Sequence, residues 1–181
     1  DGLTSAKVYL DYLMSCIKDN TEEERVEFIN SYGMYKVSYD TVPYELLDTL
    51  VKGDELIMLD FCLKFDKIKE YLDKGLIVRI YDHHPLAATI AESVPSYENL
   101  IVYYDDKLAG CEVTYKELFS DDFPEYVWLA GSYDTFRFQQ FTKDLKFRVL
   151  GFHSFMSAIV HNMTDYSDVL ENIGLEDIIK T

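Results

Sequence analysis

The sequence predicts an α/β fold in which helices lie on both faces of a mostly parallel β-sheet. The clearest evidence is a strand–helix–strand pattern over residues 54–86. Two apolar runs, 56–59 and 76–80, have the length and composition of buried strands. The charged stretch 64–74 between them is long enough for a helix that crosses over the sheet, so we expect the two strands to be parallel.

The remaining segments continue this alternation. Apolar residues at helical spacing predict a helix over residues 1–17, whereas residues 25–30 alternate apolar and polar side chains as a strand does. Thr21 and Glu24 have the spacing of a capping box, which would favour a helix there instead. The other expected elements are helices at 45–51, 86–93, 109–119 and 142–160, a strand at 99–104, and a tail that is helical in part after Thr164.

Length and composition suit one domain over residues 1–181, because 48% of the residues are hydrophobic and a single core is feasible at this size. No apolar run approaches the roughly 18 residues of a membrane span, and no signal-like segment opens the sequence. Asp1 in the place of Met predicts a piece of a longer chain. Cys16, Cys62 and Cys111 are widely spaced and odd in number, which favours reduced thiols and a cytoplasmic location.

The net charge of −16 limits the partners that we expect. Acidic residues number 33 and basic residues 17. A protein that follows long nucleic acid needs a basic face to displace counterions from many phosphates. The composition therefore argues against long duplex nucleic acid and favours a small substrate whose charge a metal ion neutralises. Most of the acidic side chains are interpreted as a solvated surface.

Acidic and imidazole side chains follow the two central strands where each strand ends. Asp60 comes directly after the first strand, and Asp82, His83 and His84 close the second. Because functional side chains gather beyond the carboxyl ends of parallel strands, we expect Asp60 and His83 to lie side by side. Asp134 would add a carboxylate. Such mixed ligands favour Mn²⁺, with Mg²⁺ or Co²⁺ as alternatives, and the scattered cysteines argue against structural Zn²⁺.

The two histidines are expected to differ in role. Successive residues that leave a strand face opposite ways, so one imidazole can bind an ion while the other faces a substrate. The 15 tyrosines are interpreted as core and rim residues. No pattern in the sequence supports base stacking on one of them.

These motifs resemble those of the DHH phosphoesterase superfamily, and the resemblance covers essentially the whole chain. The matching segments, in chain order, are Asp1-Gly2-Leu3-Thr4-Ser5-Ala6, Asp60, Asp82-His83-His84, and Asp134-Thr135 followed by Phe136-Arg137-Phe138. The first of them is similar to the end of a family motif written HxDxDG. The resemblance implies two metal ions, usually Mn²⁺, held on a parallel sheet.

The resemblance also implies roles for individual residues. The implied metal ligands are Asp1, Asp60, His83 and Asp134. His84 would donate to the oxygens of the scissile phosphate, Asp82 would orient an imidazole, and Arg137 would bind a phosphate. The implied chemistry is two-metal hydrolysis, in which activated water attacks phosphorus in line.

The resemblance predicts hydrolysis of a small phosphodiester, such as a short single-stranded oligonucleotide or a nucleotide. Members of the superfamily include RecJ-type exonucleases, short-oligonucleotide phosphatases, cyclic dinucleotide phosphodiesterases and family II inorganic pyrophosphatases. Two departures leave alternatives open. The His and the first Asp of the opening motif, with their strand, would precede Asp1, and no second substrate-selecting domain is expected. The alternatives are a pyrophosphatase or polyphosphatase, and a catalytically degenerate module that binds a nucleotide or a protein.

Overall fold

A computed structural model describes residues 2–92, 94–160 and 170, and it confirms the α/β fold class. Three parallel strands form one sheet in the order β1, β2, β3, with β1 at Glu55–Leu59, β2 at Ile77–Asp82 and β3 at Leu100–Tyr104. All three predicted strand positions of this sheet are confirmed. Because the strands are parallel, their carboxyl ends share one edge, and this edge carries the candidate site.

Helices account for most of the other described residues, and the predicted helices near the sheet are confirmed. In chain order they are α1 (Gly2–Cys16), α2 (Glu22–Asn30), α3 (Tyr44–Leu47), α4 (Phe65–Asp73), α5 (Pro85–Ala91), α6 (Gly110–Leu118), α7 (Glu125–Asp134) and α8 (Lys143–Ile159). Short 3-10 turns lie at Val94–Ser96 and Arg137–Gln140. The predicted tail after Thr164 and the candidate ligand Asp1 lie outside the described residues.

Helices cover both faces of the sheet. Successive side chains of β2 point to opposite faces, and apolar side chains are buried on each of them. On one face Val78 and Ile80 are fully buried against α4 and α5, which contribute Ile68 and Ile90 to the same cluster. On the other face Tyr81 packs with residues of α1 and α6. Full burial of each such side chain stabilises the fold by about 1.5–3 kcal/mol.

A second hydrophobic cluster joins α7 to α8 beside α6. Leu129 of α7 and Val149 of α8 are fully buried there, and Phe152 is 3% exposed. This packing positions α7 on α8. The last residue of α7, Asp134, contacts His83 at the carboxyl edge of the sheet.

The prediction of a strand at residues 25–30 is wrong, because these residues belong to α2. Thr21 and Glu24 complete the capping box, with the Glu24 amide donating to Thr21 Oγ1 at 3.3 Å and the Thr21 amide donating to Glu24 Oε2 at 2.8 Å. Three glutamates in the first turn also complement the positive end of the helix dipole. No residue of α2 is buried. Local capping therefore outweighs the alternation of apolar and polar side chains, because none of the described strands pairs with this segment.

Among the described residues, no helix is both long and apolar enough to cross a membrane. None of the three cysteines forms a disulfide with another described residue; Cys16 is exposed, while Cys62 and Cys111 are buried. Burial raises the pKa of Cys62 to about 12, with a smaller contribution from Asp82, and it raises the pKa of Cys111 well above its usual value.

We therefore expect one fast-reacting thiol in the native protein. A thiol reagent such as dithiobisnitrobenzoate at pH 8 should modify Cys16 quickly, because the thiolate is the reactive form and only this thiol is exposed. Cys62 and Cys111 should react only when denaturant opens the core. A Cys16→Ser variant should lose the fast phase and keep the other two thiols. Rapid modification of three thiols without denaturant would contradict the burial of Cys62 and Cys111.

Candidate metal centre

The site begins at Asp60, which directly follows β1. Its backbone is left-handed, with φ of 54°, and its amide donates to the carbonyl oxygen of Tyr81 at 2.9 Å. Asp is among the residues that tolerate this conformation best, although a left-handed non-glycine residue still costs roughly 1–3 kcal/mol. The hydrogen bond extends the β1–β2 pairing by one residue. Asp60 therefore lies beside Asp82, the last residue of the neighbouring strand.

Asp82 is fully buried and organises both histidines. Its Oδ1 accepts from the amides of His83 at 2.7 Å and His84 at 3.2 Å, and it lies 2.6 Å from Nδ1 of the His84 ring. A carboxylate oxygen only accepts hydrogen bonds, so Nδ1 of His84 carries the proton. The other nitrogen of the half-exposed His84 ring remains for a substrate. Oδ2 of Asp82 finds no hydrogen-bond partner among the described residues.

His83 lies between two carboxylates that are far apart in the sequence. Its Nε2 is 3.4 Å from Asp60 Oδ1 and 3.2 Å from Asp134 Oδ2. At these distances, and without good hydrogen-bond geometry, Nε2 of His83 and Oδ1 of Asp60 are buried atoms with no hydrogen-bond partner in the described part of the chain. Neighbouring ligands of an octahedral ion with bonds of about 2.1 Å lie roughly 3.0 Å apart. The two distances from Nε2 of His83 are therefore close to those between neighbouring ligands of a divalent ion.

The charges of this cluster also suit a cation. The adjacent carboxylate of Asp60 raises the pKa of His83 against the opposing effect of burial, and Asp134 raises it further. Burial, followed by repulsion from Asp60, raises the pKa of Asp134. The cluster thus holds two carboxylates that repel each other across one imidazole. A divalent ion would remove this repulsion and would supply the partner that Nε2 and Oδ1 lack.

A second set of residues holds α7 near the carboxyl edge of the sheet, which is called the rim below. Glu112 of α6 is fully buried, and its Oε2 accepts from the Ala109 amide at 3.0 Å while Oε1 pairs with Nη2 of Arg137. Gly131 of α7 packs on the same carboxylate, because a Cβ at this position would lie 2.6 Å from Cδ of Glu112. Glu112 therefore holds the residues on both sides of Asp134 against α6.

Gly110, the first residue of α6, sets how close that helix approaches Asp60. A Cβ at Gly110 would lie 2.5 Å from Oδ1 and 2.8 Å from Cγ of Asp60. Only glycine permits this approach, because real Cβ atoms do not tolerate such contacts. The amino-terminal end of α6, which carries partial positive charge, consequently lies against the Asp60 carboxylate.

The structure places most of the predicted site residues together. Asp60, Asp82, His83 and His84 offer ligand atoms that lie within 4.8 Å of one another, and Asp134 joins them through His83. Arg137 lies three residues beyond Asp134 and pairs with Glu112, while its buried Nε has no hydrogen-bond partner in the described segments. The metal-binding role of these residues stays a prediction, as does that of Asp1, which is outside the described residues.

Gly110 and Glu112 are the residues that sequence reasoning missed. A glycine just ahead of a helical pattern is a weak signal, since such glycines occur in ordinary turns. The glutamate at the third position of α6 has the spacing of a capping residue, and it does accept from the amide before the helix. Its pairing with Arg137 depends on the packing of α6 against α7, which no local pattern reveals.

Gly110→Ala should weaken Mn²⁺ binding at least about tenfold, the scale of a displaced supporting contact around a metal site. The added methyl group would force Asp60 away from its present position. Gly2→Ala is the matched control, because its Cβ would lie at an ordinary 3.8 Å from Oδ2 of the same carboxylate. Titration calorimetry with Mn²⁺, together with melting temperatures of both variants, provides the measurement. A Gly110→Ala protein that binds Mn²⁺ as tightly as the parent would contradict the dependence of the ion on the position of Asp60.

Carboxylate oxygens, a neighbouring imidazole and a second, partly exposed imidazole form a donor set that suits a divalent ion next to a substrate. Such a site suits hydrolysis of a phosphate ester. Comparison with protein-family models, with curated proteins and with solved structures found no match. The assignment of a function therefore depends on the geometry and chemistry of these residues.

Proposed function

We propose that this protein is a divalent-metal-dependent phosphohydrolase of the DHH phosphoesterase type that cleaves a small phosphodiester. The observation that carries the proposal is the position of His83 between two carboxylates. Its Nε2 lies 3.4 Å from Oδ1 of Asp60 and 3.2 Å from Oδ2 of Asp134. Two of these atoms are buried without hydrogen-bond partners among the described residues. A fold rarely leaves such atoms unpaired unless something else binds them.

The metal ligands proposed within the described residues are Asp60, His83 and Asp134. Mn²⁺ is the preferred ion because the donors combine carboxylate oxygen with imidazole nitrogen, and Mg²⁺ or Co²⁺ are alternatives. When bound, such an ion activates water and neutralises phosphate charge. Two ions, and Asp1 as a further ligand, follow from the family resemblance.

The other residues of the site have roles that need no direct bond to an ion. His84 is held by Asp82 through Nδ1, which leaves its second nitrogen for the substrate; the doubly protonated ring would donate from this nitrogen to a phosphate oxygen. Asp82 also fixes the backbone of both histidines and thereby orients the imidazole of His83. Arg137 is a second candidate for phosphate contact, although its Nη2 is paired with Glu112.

A small substrate agrees with the charge of the chain. The net charge of −16 disfavours binding along a long polyanion, which would be repelled by the excess of acidic residues. A short single-stranded oligonucleotide or a nucleotide brings few phosphates, and the ion at the rim would neutralise them locally. We further propose a cytoplasmic location, which suits three cysteines that form no disulfide among the described residues.

Purified full-length protein with Mn²⁺ should hydrolyse a dinucleotide and the surrogate bis-(p-nitrophenyl) phosphate. Asp60→Asn should lower kcat/KM by about 100-fold or more, the scale of losing a main electrostatic contact to the reacting group. Asp122→Asn removes an equivalent charge from the exposed surface and should change nothing. No turnover with Mn²⁺, Mg²⁺ or Co²⁺, or an Asp60→Asn variant as active as the parent, would overturn the proposal. Phosphate release from pyrophosphate but not from dinucleotides would assign the site to pyrophosphate instead.

Asp82→Asn should lower kcat/KM or Mn²⁺ affinity about 10- to 100-fold. The amide keeps an oxygen for the two backbone N–H donors, so the strand end should remain folded. It removes the negative charge that faces the His84 ring, and this charge holds the ring in place. Steady-state kinetics and a melting temperature of each protein separate loss of orientation from loss of fold. A fully active, normally folded variant would show that Asp82 does not position the histidines for catalysis.

A further inference from the structure

We propose that Tyr39 and Phe61 form a stacking surface for a nucleobase of the substrate, next to the candidate metal centre. These two rings are called the aromatic shelf. The inference rests on the proposed phosphohydrolase function and deepens it, because it favours nucleotides over pyrophosphate as the substrate class.

The aromatic shelf begins at the residue that follows a candidate ligand. Phe61 comes directly after Asp60, and its partly buried ring packs against the core cluster of the sheet. Tyr39 lies against it, with ring centroids 5.0 Å apart and planes inclined by 43°. Aromatic pairs at this separation attract each other. Phe61 therefore supports the ring of Tyr39 beside the rim.

Tyr39 combines exposure with proximity to the site. Tyr39 is 60% exposed, so its ring is accessible to a ligand. Partial burial raises the pKa of Tyr39, and the carboxylates of Asp82 and Asp60 raise it further. Because Tyr39 rests on Phe61 and Phe61 directly follows Asp60, the ring lies beside the edge of the sheet that carries the site. A group bound by the ring would lie near a phosphate bound at the rim.

The turn that carries Tyr39 is ordered by its own hydrogen bonds. The Thr41 amide donates to the carbonyl oxygen of Ser38 at 2.9 Å, and the Ser38 amide donates to Thr41 Oγ1 at 2.7 Å. The following residue, Val42, packs against the same core cluster as Phe61. A ring held in this way loses little conformational freedom when a ligand stacks on it, so binding costs less entropy.

The chemistry of the shelf selects a nucleobase. Every base has a flat π face, so an aromatic side chain can stack on any base whatever its identity. This attraction does not depend on cations, which suits a protein with a net charge of −16. Pyrophosphate and polyphosphate have no group that could use the shelf.

Binding of AMP and of ribose 5-phosphate tests the shelf, since the two differ only by the base. With Mn²⁺ present, calorimetry should show AMP binding about 5- to 100-fold more tightly, the range that one stacked base supports. Tyr39→Ala should bring this ratio close to one, and Tyr39→Phe should preserve it because the ring remains. Phe147→Ala removes a 69% exposed ring on α8 and should leave the ratio unchanged.

The outcomes separate this inference from the proposed function. Equal binding of AMP and ribose 5-phosphate by the parent, or an unchanged ratio in Tyr39→Ala, would overturn the shelf even if a dinucleotide is hydrolysed. An AMP preference that depends on Tyr39, in a protein that hydrolyses no phosphodiester, would overturn the function and keep the shelf. Loss of the preference in Tyr39→Phe would mean that the hydroxyl, not the ring, binds the nucleotide. Should Tyr39→Ala unfold, Tyr39→Leu repeats the test with an apolar side chain in the turn.

Discussion

The left-handed backbone of Asp60 is the constraint on which the candidate site depends. Its amide continues the β1–β2 hydrogen bonding to Tyr81, while its φ of 54° breaks the alternation of the strand and directs the carboxylate toward His83. Strain of this kind persists only where the surroundings determine the conformation more strongly than the residue opposes it. Here the strand on one side and Gly110 on the other provide that determination.

Several buried polar atoms without hydrogen-bond partners lie together at this site, and each of them lowers the stability of the fold. Asp82 is fully buried with one unpaired oxygen, and Asp60 and His83 each have a buried unpaired atom among the described residues. Each such atom costs about 1–3 kcal/mol when nothing binds it. Conflicts of this sort with the rules of stable folding are typical of functional sites. A bound cation would offset the cost at Asp60 and His83, the two proposed ligands among these residues, which connects the stability of this site to its proposed chemistry.

The elements around the rim contribute in different ways. The sheet supplies Asp60 and the histidines through strand ends, which are rigid. The helices supply Asp134 through the packing of α7 on α6, where buried Glu112 meets both Gly131 and Arg137. The exposed turn at residues 38–41 supplies only an aromatic ring. In the proposed function, rigid elements thus hold the ion and a peripheral turn binds the base, so substrate preference can vary without disturbing the metal ligands.

The sequence by itself determined the strand–helix–strand unit and the placement of Asp60 and Asp82-His83-His84 at strand ends, because periodicity and charge are local properties. It left residues 25–30 ambiguous, because their apolar and polar side chains alternate as in a strand while a capping box just before them favours a helix. Among the described residues this segment pairs with no strand, and it forms part of α2. Tertiary structure alone decided that Gly110 touches Asp60, that Glu112 pairs with Arg137, and that Tyr39 rests on Phe61. These contacts join residues 22 to 50 positions apart, and packing between elements, which no local pattern encodes, brings them together.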